Sequence, residues 1–210
     1  YWNDRGFSWD RFDKVRLDRV RLADAYAFAS GEMGPAYAQE LDPLSLRRTL
    51  VATKNWILIV DDMASGRPRR LTWFCHSDGE FKADGRGATA KAGKAALHVL
   101  PLSSVPVETA MDKTTVVAGT VPGQGTPAQR GYQITSMSRP AKQAQLITML
   151  LPLAADEKPP TVTPDGGSRS TMKFTLTWAD GRTEKVTIDL TPRGDEDPVT
   201  WQPQDAAAQP

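Results

Sequence analysis

Few residues in this sequence could do chemistry, and most of those stand singly. One pair does not: "NWILIVDDM" closes an apolar run on Asp61 and Asp62. Glycoside hydrolysis needs two carboxylates flanking one bond, one as acid and the other as base or nucleophile. Adjacent residues on a strand point to opposite faces of the sheet, so this pair cannot share a substrate. Separate structural roles are expected, because an aspartate at a strand end accepts hydrogen bonds from turn amides. Asp24, Glu32 and Asp61 form a second, more scattered set of carboxylates that a hydrolase could use.

The two histidines are His76 in "TWFCHS" and His98 in "AALHVLPL". A histidine metal site would need both, joined by carboxylates, and neither HxH nor HxxxH spacing occurs. No metal ligand, catalytic residue or cofactor is assigned. His76 is the better functional candidate, since it ends its strand beside Ser77, Asp78 and Gly79; the bland reading is a hydrogen-bonded histidine at a sheet edge. Cys75 is the only cysteine, which excludes an internal disulfide and a cysteine zinc site. Its neighbours Trp73, Phe74 and His76 point to a buried, inert thiol. No G-x-S-x-G occurs, and "GQGTPAQRG" lacks the lysine and the following helix of a phosphate loop.

Charge and composition narrow the partners. The 210 residues carry 26 basic and 25 acidic side chains, a net charge of +1. That balance leaves no clustered basic face for nucleic acid, and Arg67, Arg69 and Arg70 read as a solvated turn. No apolar run approaches the roughly 20 residues that a membrane helix needs, so no membrane partner is expected. The chain opens on Tyr1 without Met or a leader, as expected of a processed product or an excised domain. Tryptophan stands at positions 2, 9, 56, 73, 178 and 201. Exposed indoles can stack on sugar rings. Trp56 and Trp73 lie in buried-looking runs, whereas Trp2, Trp9 and Trp201 are freer, though terminal aromatics often only pin a terminus to the core.

The elements that must position these residues are strands. Val15 and Leu17 alternate with charged residues, and Val20 and Leu22 do so after a one-residue slip, which predicts a strand with a bulge. "SLRRTLVAT" and "NWILIVDD" flank Lys54 and Asn55 as a hairpin, and "MKFTLTWA" and "EKVTIDLTP" flank "DGR" at Asp180 to Arg182 as another. "QAQLITMLLPL" is apolar without a break, which fits a strand buried on both faces. The whole pattern predicts an all-β fold, an antiparallel β-sandwich of about twelve strands with turns every 8 to 12 residues or so. One sandwich domain is expected over residues 1–194, with an extended tail over 195–210. "VPGQGTPAQRG" and "DEKPPTVTPDGGSRS" read as long loops.

From "ASGE" (Ala29–Glu32) onward the chain resembles the C-terminal β-sandwich region of heparinase II/III-like polysaccharide lyases. The resemblance rests on that small-residue turn, "AY" at Ala36 and Tyr37, the arginine-led "RRTLV", "NWILIVDDM" ending in aspartate, and "WFCH". "TLTWADGRTEKVTI" resembles the closing hairpin of such sandwiches. It covers roughly residues 14 to 100 well and the remainder loosely. The resemblance implies an acidic polysaccharide as substrate, a periplasmic or secreted setting, and an N-terminal (α/α) toroid that carries most of the catalytic apparatus. Such lyases remove the C5 proton of a uronic acid whose carboxylate has been neutralised. The toroid and the family's histidine motifs are absent from this sequence, so no catalytic or metal residue carries over. Arg47, Trp73 and His76 are expected at most to contact the toroid or a sugar chain. The alternative is an independent, non-catalytic sandwich that binds carbohydrate.

Overall fold

The alternation in "RLDRVRL" is a strand with a bulge in it. In the computed structural model, which describes residues 13–37, 43–118, 126–191 and 194–204, β1 (Arg16–Leu22) pairs antiparallel with β2 (Tyr26–Glu32). The register slips between Leu17 and Arg19. The extra residue turns Leu17, Val20 and Leu22 to one face and Arg16, Arg19 and Arg21 to the other, as their partners on β2 alternate. β2 was hidden in the sequence, and "ASGE" is its end instead of a turn. Gly31 is small because a Cβ there would lie 2.6 Å from the Arg16 carbonyl oxygen.

β3 (Pro43–Thr53) and β4 (Ile57–Arg69) form the expected hairpin. Its turn at Lys54 and Asn55 is tied by the Thr53 hydroxyl, which accepts the Asn55 amide at 3.2 Å and the Trp56 amide at 3.1 Å. Then come β5 (Thr72–Ser77), β6 (Phe81–Asp84), β7 (Gly87–Ala92), β8 (Ala95–Pro101), β9 (Val107–Ala118) and β10 (Thr126–Met137). β11 (Ala141–Ala154), β12 (Thr161–Ser168), β13 (Thr171–Thr177), β14 (Thr183–Asp189) and β15 (Val199–Gln204) complete the fold. The "DGR" turn joins β13 to β14, with Gly181 at φ +85°, a conformation that glycine adopts without a steric penalty.

The fold is all-β and sandwich-like, with fifteen strands among the described residues where the sequence predicted about twelve. Among the described residues all pairings are antiparallel, in three sheets. Eight strands run in the order β1-β2-β3-β4-β11-β8-β7-β6, three as β5-β10-β9, and four as β12-β13-β14-β15. The eight-stranded sheet is the middle layer. One of its faces shares a core with the four-stranded sheet, through Phe28, Trp56, Leu58, Met149 and Leu151 against Phe174, Leu176 and Ile188. The other packs on the three-stranded sheet, through Leu46, Met63 and Leu146 against Trp73 and Met137. β11 lies between the two covers, which is why its sequence is apolar on both faces.

The differences from the expected strand list have local causes. β12 lies inside a stretch that reads as loop because Pro164, Gly166 and Gly167 interrupt it, and its register shifts at that place. β10 begins within the expected "VPGQGTPAQRG" loop, whose earlier part lies outside the described residues. Residues 199–204 of the expected tail form β15 on the edge of β14, and 205–210 lie outside the described residues.

Candidate functional site

Asp61 and Asp62 sit near the middle of β4, each opposite an arginine of β3: Arg48 faces Asp61, and Arg47 faces Asp62. Arg48 holds Asp61 in a two-pronged ion pair, Nε to Oδ1 at 2.6 Å and an Nη to Oδ2 at 2.8 Å, and Asp61 is only 3% exposed. Asp62 points to the opposite face. There Arg169, from the β12–β13 turn, donates Nε to Oδ2 at 2.9 Å, and Gln145 donates its side-chain amide at 2.8 Å. Arg169 also reaches the Gln143 side chain at 2.6 Å and the Met63 carbonyl at 2.9 Å. The two carboxylates thus serve different layers, as the strand alternation predicts.

Arg47 is therefore taken by other acids. It forms an ion pair with Asp18 at 2.7 Å and lies 3.7 Å from Glu32. Arg16, by hydrogen bonding, and Arg47 together hold the Asp18 carboxyl below its ordinary range, against the opposing effect of burial. Glu32 spends its other oxygen on the backbone, accepting the Gly34 and Leu46 amides at 2.8 Å each, which fixes the 3-10 turn at Gly34–Ala36. The scattered carboxylates do not converge: Glu32 shares a face with Arg47, Asp61 faces the other way, and Asp24 is exposed in the β1–β2 connection.

The three sequence-predicted contacts also lie apart. Trp73 packs in the core between the middle and three-stranded sheets at 6% exposure, leaving no open ring face for a sugar. His76, three residues further along β5, is exposed and pairs across the ladder with Tyr132. Arg47 belongs to the middle sheet. Among the described residues no group of three or more His, Cys, Asp or Glu side chains is arranged to hold a metal ion. Cys75 is partly buried, and that burial pushes its thiol above the ordinary value, in line with an unreactive cysteine.

A cavity of about 610 Å³ opens between β11 and the β12–β13 hairpin. Leu102, Ile147, Met172 and Phe174 supply its apolar wall, with Gln145 and Arg169 on its polar side. It is the open end of the main core, flanked by the guanidinium that anchors on Asp62.

Two clusters that sequence reasoning missed bind the layers together. Glu184, buried on β14, accepts the indole N–H groups of Trp56 at 3.0 Å and Trp178 at 2.9 Å and the Asn55 amide at 3.2 Å. Arg19, buried on β1, donates to Asp189 at 2.9 Å and to the Glu196 carbonyl at 2.6 Å, with its guanidinium 5.5 Å from the Phe28 ring centre. Trp56 and Trp178 thus serve the core, as does the half-buried Trp201 packed against it; Trp2 and Trp9 lie outside the described residues.

His98 is buried on β8, with Nδ1 2.8 Å from the Thr89 hydroxyl, which donates in turn to Asp84 at 2.9 Å. Burial lowers the tendency of this imidazole to take up a proton, and Asp84 opposes that effect only in part. The unfolded chain then binds the proton more readily than the folded one. Folding stability is expected to be fully present above about pH 6.5, the ordinary histidine value, and to fall as pH drops through it towards the lower folded value. Urea midpoints at pH 7.5, 6.5 and 5.5 check this, and His98→Asn should flatten that part of the profile.

No protein-family model and no curated protein matches the sequence. Solved structures do match the fold. The structure of a heparan sulfate lyase HepC mutant from Pedobacter heparinus superposes with a TM-score of 0.65 at 15% identity, over 84% of this chain and 28% of that one. A heparinase III crystal structure gives a TM-score of 0.62 at 16% identity, over 84% of this chain and 27% of that one. The structure of a second heparinase III gene product gives 0.62 at 12% identity, over 84% and 28%. The chain thus spans little more than a quarter of each lyase. At these identities the likeness is one of fold, and the three stacked sheets are a heparinase-like β-domain.

Proposed function

We propose that this chain is the supporting β-sandwich portion of a longer polysaccharide lyase that cleaves uronic-acid-containing polysaccharides by β-elimination. The observation that carries this reading is the fold match, which spans 84% of the chain yet only 28% of a heparan sulfate lyase. β-Elimination needs a group that neutralises the uronate carboxylate and a base that takes the C5 proton. The rest of the longer protein, an N-terminal helical toroid, supplies these groups. The conspicuous carboxylates of this chain are occupied: Asp61 by Arg48, Asp62 by Arg169, and Glu32 by two backbone amides. Their chemistry is structural.

Arg47 and His76 remain as proposed contacts with the acidic polysaccharide or the toroid, and Trp73 acts as a packing residue. The setting proposed is periplasmic or extracellular; no helix among the described residues is long and apolar enough to cross a membrane. The natural protein containing this chain is expected to be several times larger than 23.0 kDa and to release unsaturated uronate products from an acidic polysaccharide. Purification with an antibody to this chain, followed by assay on heparan sulfate, hyaluronan and alginate, tests both expectations. A natural product of this size alone, or no elimination on any uronate polymer, would overturn the reading.

A further inference from the structure

The middle sheet carries an apolar strip that neither outer sheet covers. On the face that packs against the three-stranded sheet, one row runs Val20, Ala29, Leu50 and Ile59 across β1 to β4. Exposure climbs along it, from 9% at Ile59 to 39% at Leu50 and 56% at Val20, so the cover ends near β3. Leu17 at 69% and Leu22 at 78% lie on the same face of β1. The bulge in β1 is what gathers these three aliphatic side chains on one side, while Arg19 and Arg21 turn to the other and clasp Asp189 and Asp197. Contiguous exposed aliphatic surface of this kind marks a contact site more often than an idle one.

Apolar material for a cover lies in the same chain. Tyr1, Trp2, Phe7, Trp9 and Phe12 place five aromatics in the first twelve residues, directly before the described chain begins at Asp13, three residues ahead of β1. The other segments outside the described residues are "AQELD", "GTVPGQG", "PR" and "DAAAQP", which hold no aromatic and only Leu41 and Val121 as large aliphatics. Reach is sufficient. The five residue steps of strand from Leu17 to Leu22 measure about 17 Å, whereas twelve residues can extend to about 40 Å.

We propose that the aromatic segment Tyr1–Phe12 docks on the strip formed by Leu17, Val20, Leu22 and Leu50. Each aromatic ring laid on this face would remove apolar surface from both partners, and the two tryptophans supply the largest areas. Trp2 and Trp9 then pin this segment to the sheet and are not platforms for sugar.

The test is thiol protection in the full 210-residue chain. Leu50→Cys and Val20→Cys are made separately, and maleimide labelling of each peptide is followed by mass spectrometry, which separates it from Cys75. The same reporters are placed in a chain carrying Trp2→Ser, Phe7→Ser, Trp9→Ser and Phe12→Ser, with Lys91→Cys on β7 as a distant control. The proposal predicts labelling at positions 20 and 50 at least tenfold faster once the aromatics are removed, with no change at position 91 and a modestly lower urea midpoint, because a segment docked on the folded chain stabilises it. Equal, fast labelling in both backgrounds would overturn it and leave the strip open to another partner. Protection that rises with protein concentration, together with a dimeric mass in sedimentation, would overturn it in favour of a second copy of the chain.

Discussion

Replacing Glu184 by alanine is expected to lower the folding stability of this chain by about 3 kcal/mol, because each buried donor left without a partner costs about 1 to 3 kcal/mol. The carboxylate is the shared acceptor for Trp56, Trp178 and Asn55, so one substitution strands two buried indole N–H groups. The three donors come from the β3–β4 hairpin and the β13–β14 hairpin, and the contact ties the middle sheet to the four-stranded one. Glu184→Gln keeps the shape but turns one acceptor oxygen into a donor amide, so its loss should be intermediate. Urea unfolding followed by tryptophan fluorescence checks both. An unchanged midpoint for Glu184→Ala would show that water replaces the carboxylate and that the clasp contributes little.

The second large effect concerns the carboxylates of β4. Removing one partner of a fully buried ion pair costs about 3 to 5 kcal/mol. Arg48 is partly exposed and can turn to water, so Asp61→Ala should cost nearer to 2 kcal/mol, after allowance for that screening. Asp62→Ala should cost about 1 kcal/mol or less, since Asp62 and Arg169 are more exposed, with 22% and 42% of their side chains open to solvent. The double change Arg48→Leu with Asp61→Leu should recover most of the loss, because an apolar pair of similar volume removes the uncompensated charge. A double-mutant cycle in urea measures the coupling. Equal losses for Asp61→Ala and Asp62→Ala would contradict the difference in burial on which this expectation rests.

What the sequence disclosed was local. The slip between Leu17 and Val20 revealed the bulge, because one inserted residue reverses the alternation, and the unbroken run in β11 revealed a sheet covered on both sides. Asp61 and Asp62 could be rejected as a pair from spacing alone. β2 escaped notice because Ala27, Ala29, Ser30 and Gly31 carry too little side chain to show a period. β15 escaped because it is a strand by virtue of the free edge of β14, against which Trp201 pairs with Val186. The clasps were beyond reach for a plainer reason: Arg19 lies 170 residues from Asp189, and Trp56 lies 128 residues from Glu184. No local pattern couples positions so distant. The same limit applies to Trp73, whose apolar neighbours signalled burial but could not say which sheet it would pack against.

Under the proposed function these strands are a scaffold whose buried ionisable side chains hold sheets together, and bond cleavage resides in the rest of a longer protein. The most direct test incubates the isolated 210-residue chain with heparan sulfate and other uronate polymers and follows the ultraviolet absorbance of unsaturated uronates. The account predicts no product from the folded, isolated chain under conditions in which the complete protein yields it. Product formed by the chain alone, and abolished by Asp61→Asn or His76→Ala without loss of folding, would contradict it.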